Sequence, residues 1–326
     1  MTAGTPEDLQ NTSSLDLTST EDEGLWLDVA FTWLVRLFAF CTIAIMVWMT
    51  VVIFQQAFPA IQEFGIGFLW SQEWDVGALL FGALPYIYGT LATSTIALLI
   101  AIPIGLSVAL VTSENFLPPW VRSPIAFLVE LIAAIPSVII GLWGIFVLIP
   151  FLLPITLWLH NTLGWIPLFS TEPFGPGLLP AGVILAIMIL PTMAAISREV
   201  LIAVPGELRS ASGALGATRW ETIFRVILPA GLSGTLGAAT LALGRALGET
   251  MAVTMVIGNS PLISISLLDP ASSIPSLLAN QFAEALDDLH IGALMYLALI
   301  LFVLTLVVNI IAVLMVRFLS PNLRES

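Results

Sequence analysis

The chain has 326 residues, 58% of them hydrophobic and 10% charged, against about 25% charge in a typical water-soluble domain, so its solvent is largely lipid and a soluble enzyme is disfavoured. The formal net charge of −13 comes from 22 acidic and 9 basic residues, and every basic residue is arginine. Without lysine the chain holds no Walker A phosphate loop, Schiff-base lysine or lysine-rich nucleic-acid patch, so any ATP it uses is bound by a partner. Cys41 has no second cysteine to pair with, and two histidines do not make a zinc site without other ligands.

Residues 1–24 are rich in Ser and Thr and carry Glu7, Asp8, Asp16, Glu21, Asp22 and Glu23 without a basic residue, the composition of a disordered acidic tail. A secretory signal opens with a basic region, so the first apolar stretch reads as a retained membrane anchor. At about 20 apolar residues per crossing of a hydrocarbon core about 30 Å thick, the pattern predicts an all-α polytopic bundle of about six transmembrane helices. Their expected extents are residues 37–57, 89–111, 125–149, 178–196, 230–257 and 291–316. Pro103, Pro136 and Pro191 fall inside spans and predict kinks whose freed carbonyls the bundle satisfies.

With the N-terminus placed in the cytoplasm, Arg36, Arg122, Arg198, Arg209, Arg219, Arg225, Arg317 and Arg324 all fall on the inner side, leaving Arg245 inside a span. The outer connections hold Glu63, Glu73, Asp75, Glu172, Asp269, Glu284, Asp287 and Asp288 and no arginine, so both termini are expected to be cytoplasmic. Outer residues 58–88 carry Trp70 and Trp74, and residues 158–177 carry Trp165 and several prolines. In residues 260–290 the pattern Leu277, Leu278, Phe282, Leu286 predicts an amphipathic helix across a pore mouth. Either these loops merely cap helices, or their acidic, aromatic surface docks an extracytoplasmic protein.

Arg245 and Glu249, with Thr250 beside them, lie deep in the fifth expected span, where an ionised group costs at least about 2.5 kcal/mol. Their i, i+4 spacing predicts one helical face and mutual reach. Two readings stand open: a buried ion pair that fixes helix register, or an arginine fork that compensates an oxyanion stripped of water, neutralised by Glu249 between turnovers. Gly231, Gly234, Gly237, Gly244 and Gly248 predict close helix approach and a central place for this span. Glu130, near a membrane boundary, is expected to be structural.

The longest inner connection, residues 204–229, reads VPGELRSASGALGATRWETIFRVILP and parses as a short helix, a break at Gly216 and a second helix. It resembles the EAA loop of ABC-transporter permeases when Gly216 and the Leu228–Pro229 pair are aligned with the pattern. Ser210, Ala211 and Ser212 then stand where Glu-Ala-Ala is usual, and Val226 stands for the usual isoleucine; Glu207 lies one helical turn before. GRALGETMAV at residues 244–253 and ELIAAIPSVIIGLWGIFVLIP at residues 130–150 are similar to the PstC-type permease of phosphate ABC transporters.

This resemblance implies a type I ABC importer permease fold, with a core over residues 89–317 that follows a first helix and outer segment over residues 25–88. A C-terminal cytoplasmic tail over residues 318–326 completes the chain. It implies a non-enzymatic subunit of an ATP-driven phosphate importer in a bacterial inner membrane, with Arg245, Glu249 and Thr250 in the translocation path. Glu207, Arg209, Ser210, Ala211, Gly216, Arg219, Glu221, Leu228 and Pro229 would form the ATPase-coupling loop. ATP and Mg would be held by PstB-type subunits, next to a PstA-type second permease and a PstS-type extracytoplasmic phosphate-binding protein. The partners would thus be these subunits, phosphate and membrane lipid, with no cofactor in this chain and no nucleic acid. Import of another oxyanion or a phosphonate remains an alternative, and so does an ion-coupled secondary transporter, which would need several intramembrane acids where only Glu249 lies deep.

Overall fold

The computed structural model describes residues 21–114 and 116–319, and these are helical apart from loops and two isolated β-bridges. Residues 1–20 and 320–326, which hold most of both expected tails, lie outside the described residues. The chain divides into two units, residues 1–52 and 53–326. In the first, helix α1 (Glu21–Phe64) has already begun at residues assigned above to the tail, and over residues 28–49 its apolar side chains are exposed. The Arg36 guanidinium lies 5.5 Å over the Trp33 ring, an arrangement suited to an interface between lipid and water.

The second unit continues from the end of α1 through a 3-10 turn into α2 (Leu84–Ser113), α3 (Pro119–Ala134) and α4 (Ser137–Trp143). A π-helical turn joins α4 to α5 (Ile149–Leu163), and α6 (Leu178–Ala203) follows. The third expected span, residues 125–149, is therefore displaced. Ile135, extended at ψ 127° because Pro136 disfavours the helical region before it, ends α3, and the membrane-length apolar helix runs from Ser137 to Leu163. Trp158, placed above in an outer loop, is inside α5. Pro103 and Pro191, in contrast, sit within unbroken α2 and α6.

After α6 come α7 (Gly206–Ala214), α8 (Arg219–Thr222), a second π turn, α9 (Leu228–Ala230) and α10 (Leu232–Gly248). Short α11 (Met251–Val256) and α12 (Ile274–Gln281) precede the long α13 (Asp288–Leu319). The fifth expected span is broken twice. Residues 219–230 meet α10 at an angle of 67° at Gly231, and a further break at Glu249 and Thr250 separates α10 from α11. Among the described residues, five helices are long and apolar enough to cross a membrane, and a sixth results if the bent pair counts as one span.

Among the five candidate spans α6 is the most enclosed, with 61% of its apolar window buried against 33% for α2 and 28% for Ser137–Leu163. It therefore takes the central place expected of the glycine-rich α10. Along α2, Ala97, Ala101 and Gly105 admit α6 so closely that a Cβ on Gly105 would come 2.8 Å from Met193 Cγ. On α10 only Gly231 and Gly234 meet α6 in this way, through Leu201 and Val200.

Where α2 begins, the connections fold inward. Phe68 stacks on Tyr296 at 4.6 Å, Phe81 on His290 at 5.4 Å, and Trp74 meets Phe81 and Tyr86 edge-on. Trp74 Nε1 donates to Gln281 Oε1 at 2.8 Å and His290 Nε2 lies 3.2 Å from the same oxygen, so His290 carries its proton on Nε2. Helix α12 forms, but it does not lie freely over a pore mouth. Its first turn, Ile274 to Leu277, is buried, Ile274 N–H donates to Thr90 Oγ1, and Leu286 of the expected apolar stripe is 93% exposed.

Candidate functional site

The coupling segment has the helix–glycine–helix order read from its sequence. Val204 is extended before Pro205, which ends α6 and lets α7 start at Gly206. Gly216 has φ +80°, and an added Cβ there would meet nothing within 4 Å, so the residue is required for its left-handed backbone and not for close approach. Beyond it Thr218 and Glu221 form a capping box: Thr218 N–H donates to Glu221 Oε2 at 2.8 Å, and Thr218 Oγ1 accepts from Glu221 N–H. Ser212 and Thr222 share a hydroxyl hydrogen bond of 2.9 Å that ties α7 to α8.

These contacts divide the segment into two faces. Ser212, Ile223 and Ile227 turn inward, the two isoleucines joining Ala109 and Leu201, while Glu207, Ser210, Ala211 and Ala214 follow one exposed face of α7. Leu215 is 89% exposed at its end. Arg219, Glu221 and Pro229 are exposed, and Leu228 is half-buried. Arg209 points the other way, toward Glu114 at the end of α2, with Nε and Nη2 donating to one carboxylate oxygen at 3.2 and 3.0 Å. Glu114, Phe116, Arg209, Arg219 and Thr222 line a cavity of about 280 Å³ beside this pair.

The intramembrane pair is arranged differently from the expectation. Arg245 lies in the last turn of α10, but the helix stops at Gly248 and Glu249 takes an extended backbone (φ −70°, ψ 124°), which carries its side chain off the i, i+4 register. No ion pair joins the two. Arg245 Nη1 instead donates to Thr192 Oγ1 of α6 at 3.2 Å. Leu241, Arg245 and Gly248 form an exposed stripe at i, i+4 and i+7 with Gly237 one turn earlier, whose Cβ position is open. Thr250 Oγ1 donates to Gly248 O across the break, and Thr250 O accepts from Thr254 Oγ1. The arrangement offers a guanidinium on an unfilled helix face with a carboxylate and hydroxyl at the adjoining break.

Two further residues join these sites, Thr192 beside Arg245 and Glu114 beside Arg209. No local pattern points to Thr192, which is 53 residues from its partner. Glu114 carried a faint signal, an acid on the arginine-rich side directly after an apolar span.

Residues 101–325 match the family described as binding-protein-dependent transport system inner membrane component. The chain is 46% identical over 266 residues to the phosphate transport system permease protein PstC of Mesorhizobium japonicum, covering 80% of this chain and 81% of that one. It is 42% identical over 296 residues to the protein of the same name from Haemophilus influenzae, covering 89% and 93%. A bacterial alginate ABC transporter solved with an alginate pentasaccharide-bound periplasmic protein has a chain of similar fold, with a TM-score of 0.61, 18% identity, and 91% and 98% of the two chains covered.

Proposed function

This chain belongs to the binding-protein-dependent transport system inner membrane component family, and we propose that it is the PstC-type permease subunit of an ATP-driven phosphate importer. The observation that carries the substrate assignment is 42–46% identity, over 80% or more of the chain, to proteins named phosphate transport system permease. In this reading the chain breaks no bond. A PstS-type protein delivers phosphate from outside, and PstB-type subunits bind ATP and Mg and hydrolyse ATP. A PstA-type permease completes the path. The chain lies in a bacterial inner membrane with both termini in the cytoplasm, the sidedness its arginines favour.

Phosphate entering a low-dielectric path loses water that fixed donors have to replace. Arg245 suits this task because a guanidinium presents several N–H donors in a plane matched to phosphate oxygens, and Thr192 takes only one of them. Glu249 and Thr250, at the break between α10 and α11, line the same path, and the carboxylate balances the arginine when no anion is present. The exposed face of α7, with Glu207, Ser210 and Ala211, docks the ATPase, and the left-handed Gly216 and the capped start of α8 hold that face at its angle.

The test is uptake of labelled phosphate by proteoliposomes carrying the co-purified complex. The wild type is expected to require ATP, both permeases and the binding protein. The double variant Arg245→Gln with Glu249→Gln is expected to assemble and hydrolyse ATP without moving phosphate. Near-normal uptake by that variant would overturn the role of the pair. Uptake without the ATPase, or equal competition by sulfate or a phosphonate, would overturn the energy source or the substrate.

A further inference from the structure

Helix α7 hangs from α6 by two extended residues, Val204 and Pro205, so the helical hydrogen-bond ladder does not continue from one to the other. A lever joined through such an elbow can turn without moving the element it hangs from. Arg209, in the second turn of α7, bridges the gap. Its Nη1 donates to Val204 O at 2.6 Å and its Nη2 to Leu201 O at 2.7 Å, carbonyls at the end of α6 that have no helical donor left. The same guanidinium grips Glu114, the residue that caps α2. One planar group thus joins the ends of three helices. With side-chain exposures of 27% and 18%, the ion pair is also shielded from much of the water that weakens surface pairs.

We infer that Arg209 is a positioning residue which, with Glu114, locks α7 to the ends of α2 and α6, so that displacement of the coupling segment moves the α2–α6 pair as one body instead of flexing the Val204–Pro205 elbow. The inference rests on the proposed function in that an ATPase is what displaces α7. It extends that reading inward. Helix α6 carries Leu201, held by Arg209, and, nine positions earlier on the same rigid rod, Thr192, which holds Arg245. The clamp therefore sets the path by which movement at the coupling face reaches the intramembrane arginine.

Spin labels on Gly213→Cys, where an added Cβ meets nothing within 4 Å, and on exposed Ser107→Cys of α2 read the clamp directly in a Cys41→Ser background. In the assembled complex the distance is expected to stay single and narrow in the nucleotide-free and the ATP–vanadate states. Arg209→Lys keeps the charge but not the fork, and Glu114→Gln weakens the acceptor; either is expected to broaden the vanadate-trapped distribution. Phosphate moved per ATP hydrolysed is expected to fall about five- to tenfold in both. Bridging Glu114→Cys and Arg209→Cys with a short bismaleimide is expected to restore that ratio. Distributions in the variants that match the parent, or a bridged complex that stays uncoupled, would overturn the clamp. The distance measurement needs no transported substrate, so a parent complex that does not move phosphate counts against the proposed function and leaves the clamp to be judged by its distances.

Discussion

At the end of the second unit where α2 begins, the connections fold back over the bundle and bury rings: Phe68, Phe81, Trp74 and Tyr86 pack with α12 and the start of α13, and Gln281 satisfies Trp74 and His290 together. Where α2 ends, the buried cluster is small and aliphatic, made of Ala109, Leu201, Ile223 and Ile227, and the connecting segment stands out into solvent with Leu215 uncovered and the rings of Trp220 and Phe224 stacked on its exposed surface. Stacked aromatic rings bury a large area and tolerate little sliding. A short lever held by directional bonds from its own Arg209 and Ser212 can be moved together with the groups they grip without emptying a core. This chain keeps its rigid packing at one end and its handle at the other.

A rigid end and a handle require that the two ends face opposite compartments. With Cys41 replaced, a cysteine at Asp287 should react with a membrane-impermeant thiol reagent in intact cells, and one at Arg219 only after permeabilisation. Labelling in the reverse sense would invert the assignment of rigid end and handle. Less absolute is the effect of the two left-handed glycines. Gly258, at φ +94°, would carry a Cβ 2.6 Å from that of Pro270, whereas Gly216, at φ +80°, has open space. Gly258→Val should therefore combine backbone strain with overpacking, about 2–5 kcal/mol, and lower the folded yield. Gly216→Val should cost only the strain, about 1–2 kcal/mol, and insert normally while losing ATP-coupled uptake. Thermal melts in detergent beside uptake assays check this, and equal melting losses would remove the contrast.

The smallest expected difference compares single hydrogen-bond losses. Gln281→Leu strands Trp74 Nε1 and the nearly buried His290, a loss of about 1–3 kcal/mol. Ser212→Ala leaves Thr222 its bond to Thr218 O, so the loss should stay near about 0.5–1 kcal/mol. A larger melting shift in Ser212→Ala than in Gln281→Leu would mean that the handle, not the aromatic end, limits stability.

The long apolar runs made α2, α6 and α13 legible from sequence, and the glycine spacing made the α7–α8 turn legible. The breaks were not, because a proline's effect depends on what surrounds it. Pro103 and Pro191 sit in helices that pack along each other, and neighbours hold the helix through them. Pro136 follows α3, which buries no residue, so nothing opposes the local preference for an extended Ile135. The expected Arg245–Glu249 pairing failed for a related reason, since i, i+4 logic holds only while the helix continues and this one stops at Gly248. The partners that replaced it are tertiary: Thr192 is 53 residues from Arg245, and Glu114 is 95 from Arg209.

Helix α1 has 44 residues, a length of about 66 Å, roughly twice the hydrocarbon thickness of a bilayer. Tilt alone does not absorb that excess, since transmembrane helices lean by about 0–40°. Its uncharged stretch, between Arg36 and Glu63, measures about 39 Å and fits a bilayer about 30 Å thick only near the limit of that range. Acyl-chain length thus becomes a variable this protein meets through hydrophobic mismatch at its first helix, which stands more upright in thick membranes and leans further in thin ones.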